Sequence, residues 1–223
     1  MTTGSRDVVI VGGGIVACLS GYLLGRRGYK VTILEADSLG SHASGFAFGG
    51  LDPLTGIGLP EPLLDFSLWC FVRHRSLARE LHETTGIDVG FELRDRLNLA
   101  FNNEETKVLK DQIEWMKDVG GFTVEWVNNA EARRLEPQVS GEITGALYQR
   151  SPGALEPYRF ILAAMRAAER YGVEMLQRRA IGLISDGDRV TGVTLESGTI
   201  DAGIVVLAMG PWTGLASEWC GVD

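Results

Sequence analysis

The 223-residue sequence predicts an α/β protein whose parallel sheet is interrupted by a second, mostly antiparallel α+β domain. Three observations lead there: a strand–glycine turn–helix–strand unit at the start, a middle block of short alternating strands, and a continuously apolar strand at residues 204–210.

The opening unit is the most informative stretch. The run Asp7-Val8-Val9-Ile10-Val11 leads into Gly12-Gly13-Gly14-Ile15-Val16-Ala17, which reads G-x-G-x-x-A. A second apolar run, Val31-Thr32-Ile33-Leu34, ends on Glu35 and Ala36, with the acid about twenty residues beyond the turn. Gly12 permits a tight turn out of the strand, Gly14 has no Cβ to keep a pyrophosphate from the backbone, and Ala17 lets the helix lie close to the sheet. The helix beginning there offers free N–H groups and a positive dipole end to phosphates. Glu35 is placed to accept hydrogen bonds from a ribose diol, which favours a cofactor without a 2′-phosphate. This is the pattern of a Rossmann-like dinucleotide-binding unit; a βαβ unit that binds nothing is the alternative.

Composition narrows the function classes. The chain is long enough for one large domain or two small ones, and its hydrophobic and charged fractions, 45% and 22%, are those of an ordinary globular protein. A net charge of −8, with no Lys/Arg-rich run, argues against nucleic-acid or anionic-membrane binding. The first residues lead straight into a strand, so neither a signal peptide nor a membrane span is expected. Cys18, Cys70 and Cys220 are scattered and odd in number, which reads as reduced thiols in a cytoplasmic protein, Cys18 being packed inside the first helix. His42, His74 and His82 show no metal-ligand spacing, and no metal is expected.

After the opening unit comes a small-residue loop, residues 38–50, and irregular chain to Pro62. Leu64, Leu68, Phe71, Leu77 and Leu81 then give a helical stripe over residues 63–85, ended by Gly86. Residues 89–93 and 96–101 alternate as strands, 104–119 form a charged helix, 122–126 a strand, and Asn128 or Asn129 caps a short helix. Residues 145–148 read as another short strand. Pro157–Tyr171 is a helix with Ile161, Leu162, Met165 and Ala168 on one face; a strand at 173–177 and a hairpin over 180–195 follow. The apolar run 204–210 suits a parallel strand buried on both faces, and Pro211-Trp212-Thr213 opens a short last helix.

Three of these features stand in an order that resembles the FAD-dependent oxidoreductases of the D-amino acid oxidase, glycine oxidase and sarcosine oxidase type. They are the G-G-G-I-V-A turn, the loop His42-Ala43-Ser44-Gly45 leading to Gly49-Gly50-Leu51, and the strand ending Leu207-Ala208-Met209-Gly210-Pro211-Trp212. The segment Gly153-Ala154-Leu155-Glu156-Pro157 is also similar to that family. The resemblance implies FAD as cofactor and a Rossmann-like FAD-binding domain with an inserted substrate domain, incomplete at the carboxyl end. It divides the chain into 1–86 and 150–223, the two FAD-binding segments, and 87–149, the inserted part.

By the same resemblance Gly12, Gly14 and Ile15 hold the pyrophosphate, Glu35 and Ala36 lie at the adenosine ribose, and Ser44 and Gly45 close over the diphosphate and ribityl chain. Gly49, Gly50 and Leu51 approach the isoalloxazine ring, Ala180 or Ile181 flanks the adenine, and Ala208, Gly210 and Trp212 line the path between adenine and pyrophosphate. Ser44 as a turn cap, Trp212 as core and Gly49-Gly50 as a bend are the structural alternatives. A histidine in a comparable loop carries a covalent flavin in related dimethylglycine and sarcosine dehydrogenases. Here the aromatic residue before it is absent, so His42 is expected to face solvent and the flavin to be non-covalent. The activity implied is oxidation of a small amine or amino acid, by hydride transfer from the carbon next to nitrogen to flavin N5 and hydrolysis of the imine. No catalytic residue is assigned, and Arg94 and Arg96 are expected to be surface charges. The alternatives are a nicotinamide-dependent dehydrogenase domain and a non-catalytic FAD-binding piece needing a second chain. Exposed apolar side chains such as Val205 and Trp219 would favour the latter.

Overall fold

The computed structural model describes residues 6–221. The chain divides into two compact units: Met1–Phe48, Ala78–Val89 and Glu156–Asp223 form the first, and Gly49–Leu77 and Gly90–Leu155 the second. In chain order the elements begin β1 (Arg6–Val11), α1 (Ile15–Gly25), β2 (Val31–Glu35), β3 (Gly50–Leu51), α2 (Leu64–Thr85), β4 (Glu92–Leu93), β5 (Arg96–Ala100) and α3 (Asn103–Met116). They continue with β6 (Thr123–Asn128), α4 (Asn129–Leu135), β7 (Gly145–Arg150), β8 (Gly153–Ala154), α5 (Pro157–Glu169), β9 (Glu174–Gln177), β10 (Ala180–Asp186), β11 (Arg189–Leu195) and β12 (Gly198–Leu207). A 3-10 helix, Gly210–Ala216, and α6, Ser217–Cys220, close the described chain.

The first unit is built on a six-stranded sheet in the order β10-β11-β12-β1-β2-β9. Strands β12, β1, β2 and β9 run parallel, with β1 between β12 and β2. Strands β10 and β11 add an antiparallel hairpin to the outer edge of β12. One face carries Val9, Val11, Leu34, Val193, Leu195, Ile200 and Ala202 in a common core. Helices α1 and α5 pack on each other, and α5 buries the small residues Ala163, Ala164, Ala167 and Ala168. In α1, a Cβ on Gly21 would press on Ile33 and one on Gly25 on Val173.

The second unit has two small antiparallel sheets, β5-β7-β6 and β3-β8-β4. Leu54, Met116, Val124 and Leu147 form one buried cluster there, and Val127, Ala132, Ile143, Ala146 and Tyr148 another. Helix α4 starts in a capping box: the Asn128 side chain accepts from the Glu131 N–H at 3.0 Å while Glu131 accepts from the Asn128 N–H at 3.0 Å.

The compact units part from the expected division at residues 49–77 and 150–155, which fall in the second unit, and at residues 87–89, which fall in the first. The reason is hydrogen bonding by a two-residue strand too short to show periodicity: Gly50 and Leu51 pair with Ala154 and Gly153, which also pair with Glu92 and Leu93. The late strand also begins earlier, at Gly198, because its first residues pair antiparallel with β11 before the rest pairs parallel with β1. It is not covered on both faces, since Ile204 is 56% exposed. Val205 and Trp219 are half-buried, and the exposed apolar side chains near the chain end are Ile204, Trp212 and Leu215.

Two substitutions test this packing. Ile161→Ala removes a side chain that is 1% exposed and is expected to destabilise the first unit by about 2–5 kcal/mol. Asn128→Ala removes a cap and is expected to cost the second unit about 1 kcal/mol. Denaturant midpoints, with hydrogen exchange to assign each loss to its unit, check both.

Candidate functional site

Within the first unit, the carboxyl ends of β1, β2 and β12 open onto a cleft of about 710 Å³, which lies within the usual range for small-molecule sites, roughly 300–1,000 Å³. Of the expected residues, Gly12, Gly14, Glu35, Ala36, Ser44, Ala180, Ile181, Ala208, Gly210 and Trp212 line it. Ile15 and Gly45 are not part of the lining but act next to it. Gly49, Gly50 and Leu51 belong to the second unit.

The turn is fixed by backbone geometry. Gly12 has φ +114°, and a Cβ there would fall inside the van der Waals radius of the Ala208 carbonyl oxygen. The Gly12 N–H donates to the Leu34 carbonyl at 2.8 Å, and the Ala208 N–H donates to the Val11 carbonyl at 2.8 Å, so the three strand ends converge on the turn. Helix α1 starts at Ile15 behind Gly14, with no side-chain bond from its own cap residue and no acid in its first turn. Its positive end is therefore not neutralised from within the helix. Ser44 Oγ accepts from the Ile15 N–H at 3.3 Å. A Cβ on Gly14 would stand 2.9 Å from that hydroxyl, so a larger residue there has to displace it. Gly45 packs its α-carbon against the Gly40 carbonyl, again without space for a Cβ.

Glu35 is buried, and both carboxylate oxygens are engaged: Oε2 accepts from the Gly13 N–H at 2.5 Å and Oε1 from the Asp37 N–H at 2.7 Å. Each oxygen keeps a further lone pair for a ribose hydroxyl. The acid thus also ties the glycine turn to the end of β2, a role its position in the motif did not disclose.

Sequence reasoning missed a chain of side chains along the cleft rim. Asp37 Oδ2 meets His42 Nε2 at 2.7 Å and Oδ1 meets Arg179 Nη2 at 3.4 Å, while the His42 ring packs edge-on to Trp212 with centroids 4.7 Å apart. His42 is half-exposed, as expected of a loop histidine, but held on two sides. The signal for Asp37 was its place two residues past Glu35; nothing local marked Arg179. The structural alternatives resolve individually. Ser44 does bond a helix N–H, Trp212 is 45% exposed and so not core, and Gly50 is a strand residue.

The residues present fit a dinucleotide: a helix N-terminus with no acid of its own behind a glycine turn for the diphosphate, and an acid with lone pairs to spare for the ribose. The comparisons with known proteins agree. The family model described as FAD dependent oxidoreductase, DAO, matches residues 7–221, and the chain belongs to that family, whose cofactor is FAD. The chain is similar to the glycine oxidase of Geobacillus kaustophilus (strain HTA426), 30% identical over 211 residues that cover 94% of this chain and 56% of that protein. A crystal structure of glycine oxidase from Geobacillus kaustophilus superposes with a TM-score of 0.91 at 29% identity, covering 99% of this chain and 60% of that one. Sarcosine oxidase subunit beta from Arthrobacter sp is 29% identical over 98% of this chain and 54% of its own length. The chain spans little more than half the length of these relatives. The family match sets aside the nicotinamide-dependent alternative. No described helix is long and apolar enough to cross a membrane.

Cys18, in the first turn of α1, is buried, and burial, with the Glu35 charge adding to it, pushes its thiol from 9.0 up to about 12. The unfolded chain loses that proton near the ordinary value while the folded chain keeps it. Stability from this residue is therefore complete below about pH 9 and falls as pH rises towards about 12, with a slope of up to about 1.4 kcal/mol per pH unit. Urea midpoints from about pH 8 to about pH 11 are expected to show this decline, and Cys18→Ala to reduce it.

Proposed function

We propose that this chain is the cofactor-binding part of an FAD-dependent enzyme that oxidises a small amine or amino acid. The observation that carries the reading is the start of α1: a helix end with no acid of its own, behind a glycine turn, in a cleft lined by the Glu35 carboxylate. The family membership and the likeness to glycine and sarcosine oxidases support the reaction class. Bound FAD would supply the two-electron chemistry, accepting hydride from the carbon next to the substrate nitrogen.

The residues of the chain bind and orient. The N–H groups at the start of α1 hold the diphosphate, with Ser44 turning its hydroxyl from Ile15 towards it. Glu35 takes the ribose hydroxyls on its free lone pairs, beside Ala36. Ala180 and Ile181, which line the cleft, flank the adenine, and Ala208, Gly210 and Trp212 line the path from adenine to diphosphate. Gly45 keeps the loop folded on itself so that Ser44 stays in place. Gly49, Gly50 and Leu51 remain the residues assigned to the flavin ring by family likeness. Because the relatives are nearly twice as long, the substrate pocket in this reading is completed by further polypeptide, in the same chain or in a second one. The free cysteines suit a cytoplasmic setting.

The test is spectroscopic. The purified chain, mixed with FAD and desalted, is expected to keep a visible flavin band, and acid or denaturant is expected to release the flavin as a non-covalent ligand. Gly14→Val, which fills the space before Ser44, is expected to weaken retention at least about tenfold with little change in folding. Loss of the band from the unmodified chain on desalting contradicts the reading.

A further inference from the structure

Arg179, Asp37, His42 and Trp212 all line the cleft and touch one another in that order. The segments they come from give the contacts their meaning. In the sheet of the first unit, β1 lies between β12 and β2. His42 sits in the loop that follows β2, and Trp212 in the 3-10 helix that follows β12. Their rings, 4.7 Å apart at the centroids and inclined at 60°, therefore join the two flanks of β1 at the end where its glycine turn opens. Two residues beyond His42, Ser44 accepts from the Ile15 N–H at the start of α1. The ring contact thus spans the cleft beside the helix end that the proposed function gives to the diphosphate.

The backbone at each attachment is held. The Asp37 N–H donates to Glu35 Oε1 at 2.7 Å, the Glu196 N–H donates to the Arg179 carbonyl at 3.2 Å, and the Trp212 N–H donates to the Met209 carbonyl at 3.2 Å. Arg179 Nε also lies 3.7 Å from the Glu196 carboxylate. The side chains between these points are not buried: those of His42, Asp37 and Arg179 are 45%, 50% and 52% exposed. A half-exposed ion pair is worth at most about fivefold in an equilibrium constant, and an edge-on aromatic pair about tenfold. Such ties add little to the fold. A contact that joins two fixed segments across a cleft, and parts at little cost, has the properties of a strap.

We infer that the His42 and Trp212 rings form a strap across the cleft, which opens to admit the dinucleotide and closes to retain it, with Asp37 and Arg179 as its positioning residues. The inference rests on the proposed function for the identity of the ligand and adds how entry and release are controlled. His42, expected only to face solvent, then has a task that needs no bond to the flavin.

The experiment is stopped-flow mixing of the full chain with FAD, read by flavin fluorescence, with release followed after dilution of the loaded chain. His42→Gln keeps a hydrogen bond for Asp37 but has no ring for Trp212. It is expected to speed entry and release alike, by about threefold to tenfold each, and so to leave the Kd within about twofold. Trp212→Leu is expected to speed entry by a similar factor, and the double variant to be no faster than either single one, because the rings act through each other. His42→Phe, which restores a ring, is expected to return both rates towards those of the unmodified chain. Urea midpoints of all the variants are expected to match that of the unmodified chain. If His42 only braced the loop that carries Ser44, its loss would speed release alone and weaken binding. That result overturns the strap, as do unchanged rates in His42→Gln, and both leave the FAD reading standing. An unmodified chain that takes up no flavin contradicts the FAD reading and the strap with it.

Discussion

The carboxylate of Glu35 is the constraint on which the candidate site depends. Two backbone N–H groups, from Gly13 and Asp37, converge on it at 2.5 and 2.7 Å. These bonds draw the glycine turn after β1 against the end of β2. On the other side the Ala208 carbonyl at the end of β12 closes on Gly12, where a Cβ has no room. Charge-assisted hydrogen bonds to backbone donors are among the stronger ones, and burial increases their effect. With both neighbours in place, the first turn of α1 is aimed at the cleft before any ligand arrives, so little ordering remains to be done on binding.

The same economy of space governs the rest of the first unit. Gly21 of α1 lies close against Ile33 of the sheet and Gly25 against Val173, while α5 buries a row of alanines, so small residues bring α1 near the sheet. The second unit works by different means, with capped helices and paired strands of two to six residues around two modest clusters. Its buried Asp52 and Gln149 are joined to each other and to the exposed Arg96 by hydrogen bonds rather than by apolar packing.

Much of this was legible in the sequence, and the parts that were not share a cause. The glycine turn, the acid at Glu35 and the long helices announce themselves through spacing and period, because local backbone rules produce them. Two-residue strands such as Gly50–Leu51 carry no period, so the allocation of residues 49–77 to the second unit could only come from pairing with Gly153–Ala154. The exposure of Ile204 was hidden for a similar reason: an apolar run records that a strand has apolar side chains, not which neighbours cover them. In the site, Gly12, Gly14 and Glu35 of the motif line the cleft, and so do Arg179, Asp37, His42 and Trp212, whose mutual contacts join segments far apart in sequence. Arg96, read as a surface charge, is 45% exposed, but its pairing with Asp52, 44 residues away, carried no local signal.

The measurement that tests the central claim most directly is backbone amide hydrogen exchange across the chain with and without ADP, the part of the dinucleotide that the first unit alone would hold. The account predicts slowed exchange at Gly13 to Ala17 and around Asp37 to Ser44, with the second unit unchanged. Unchanged exchange at the glycine turn, or protection confined to residues outside the cleft, would contradict it.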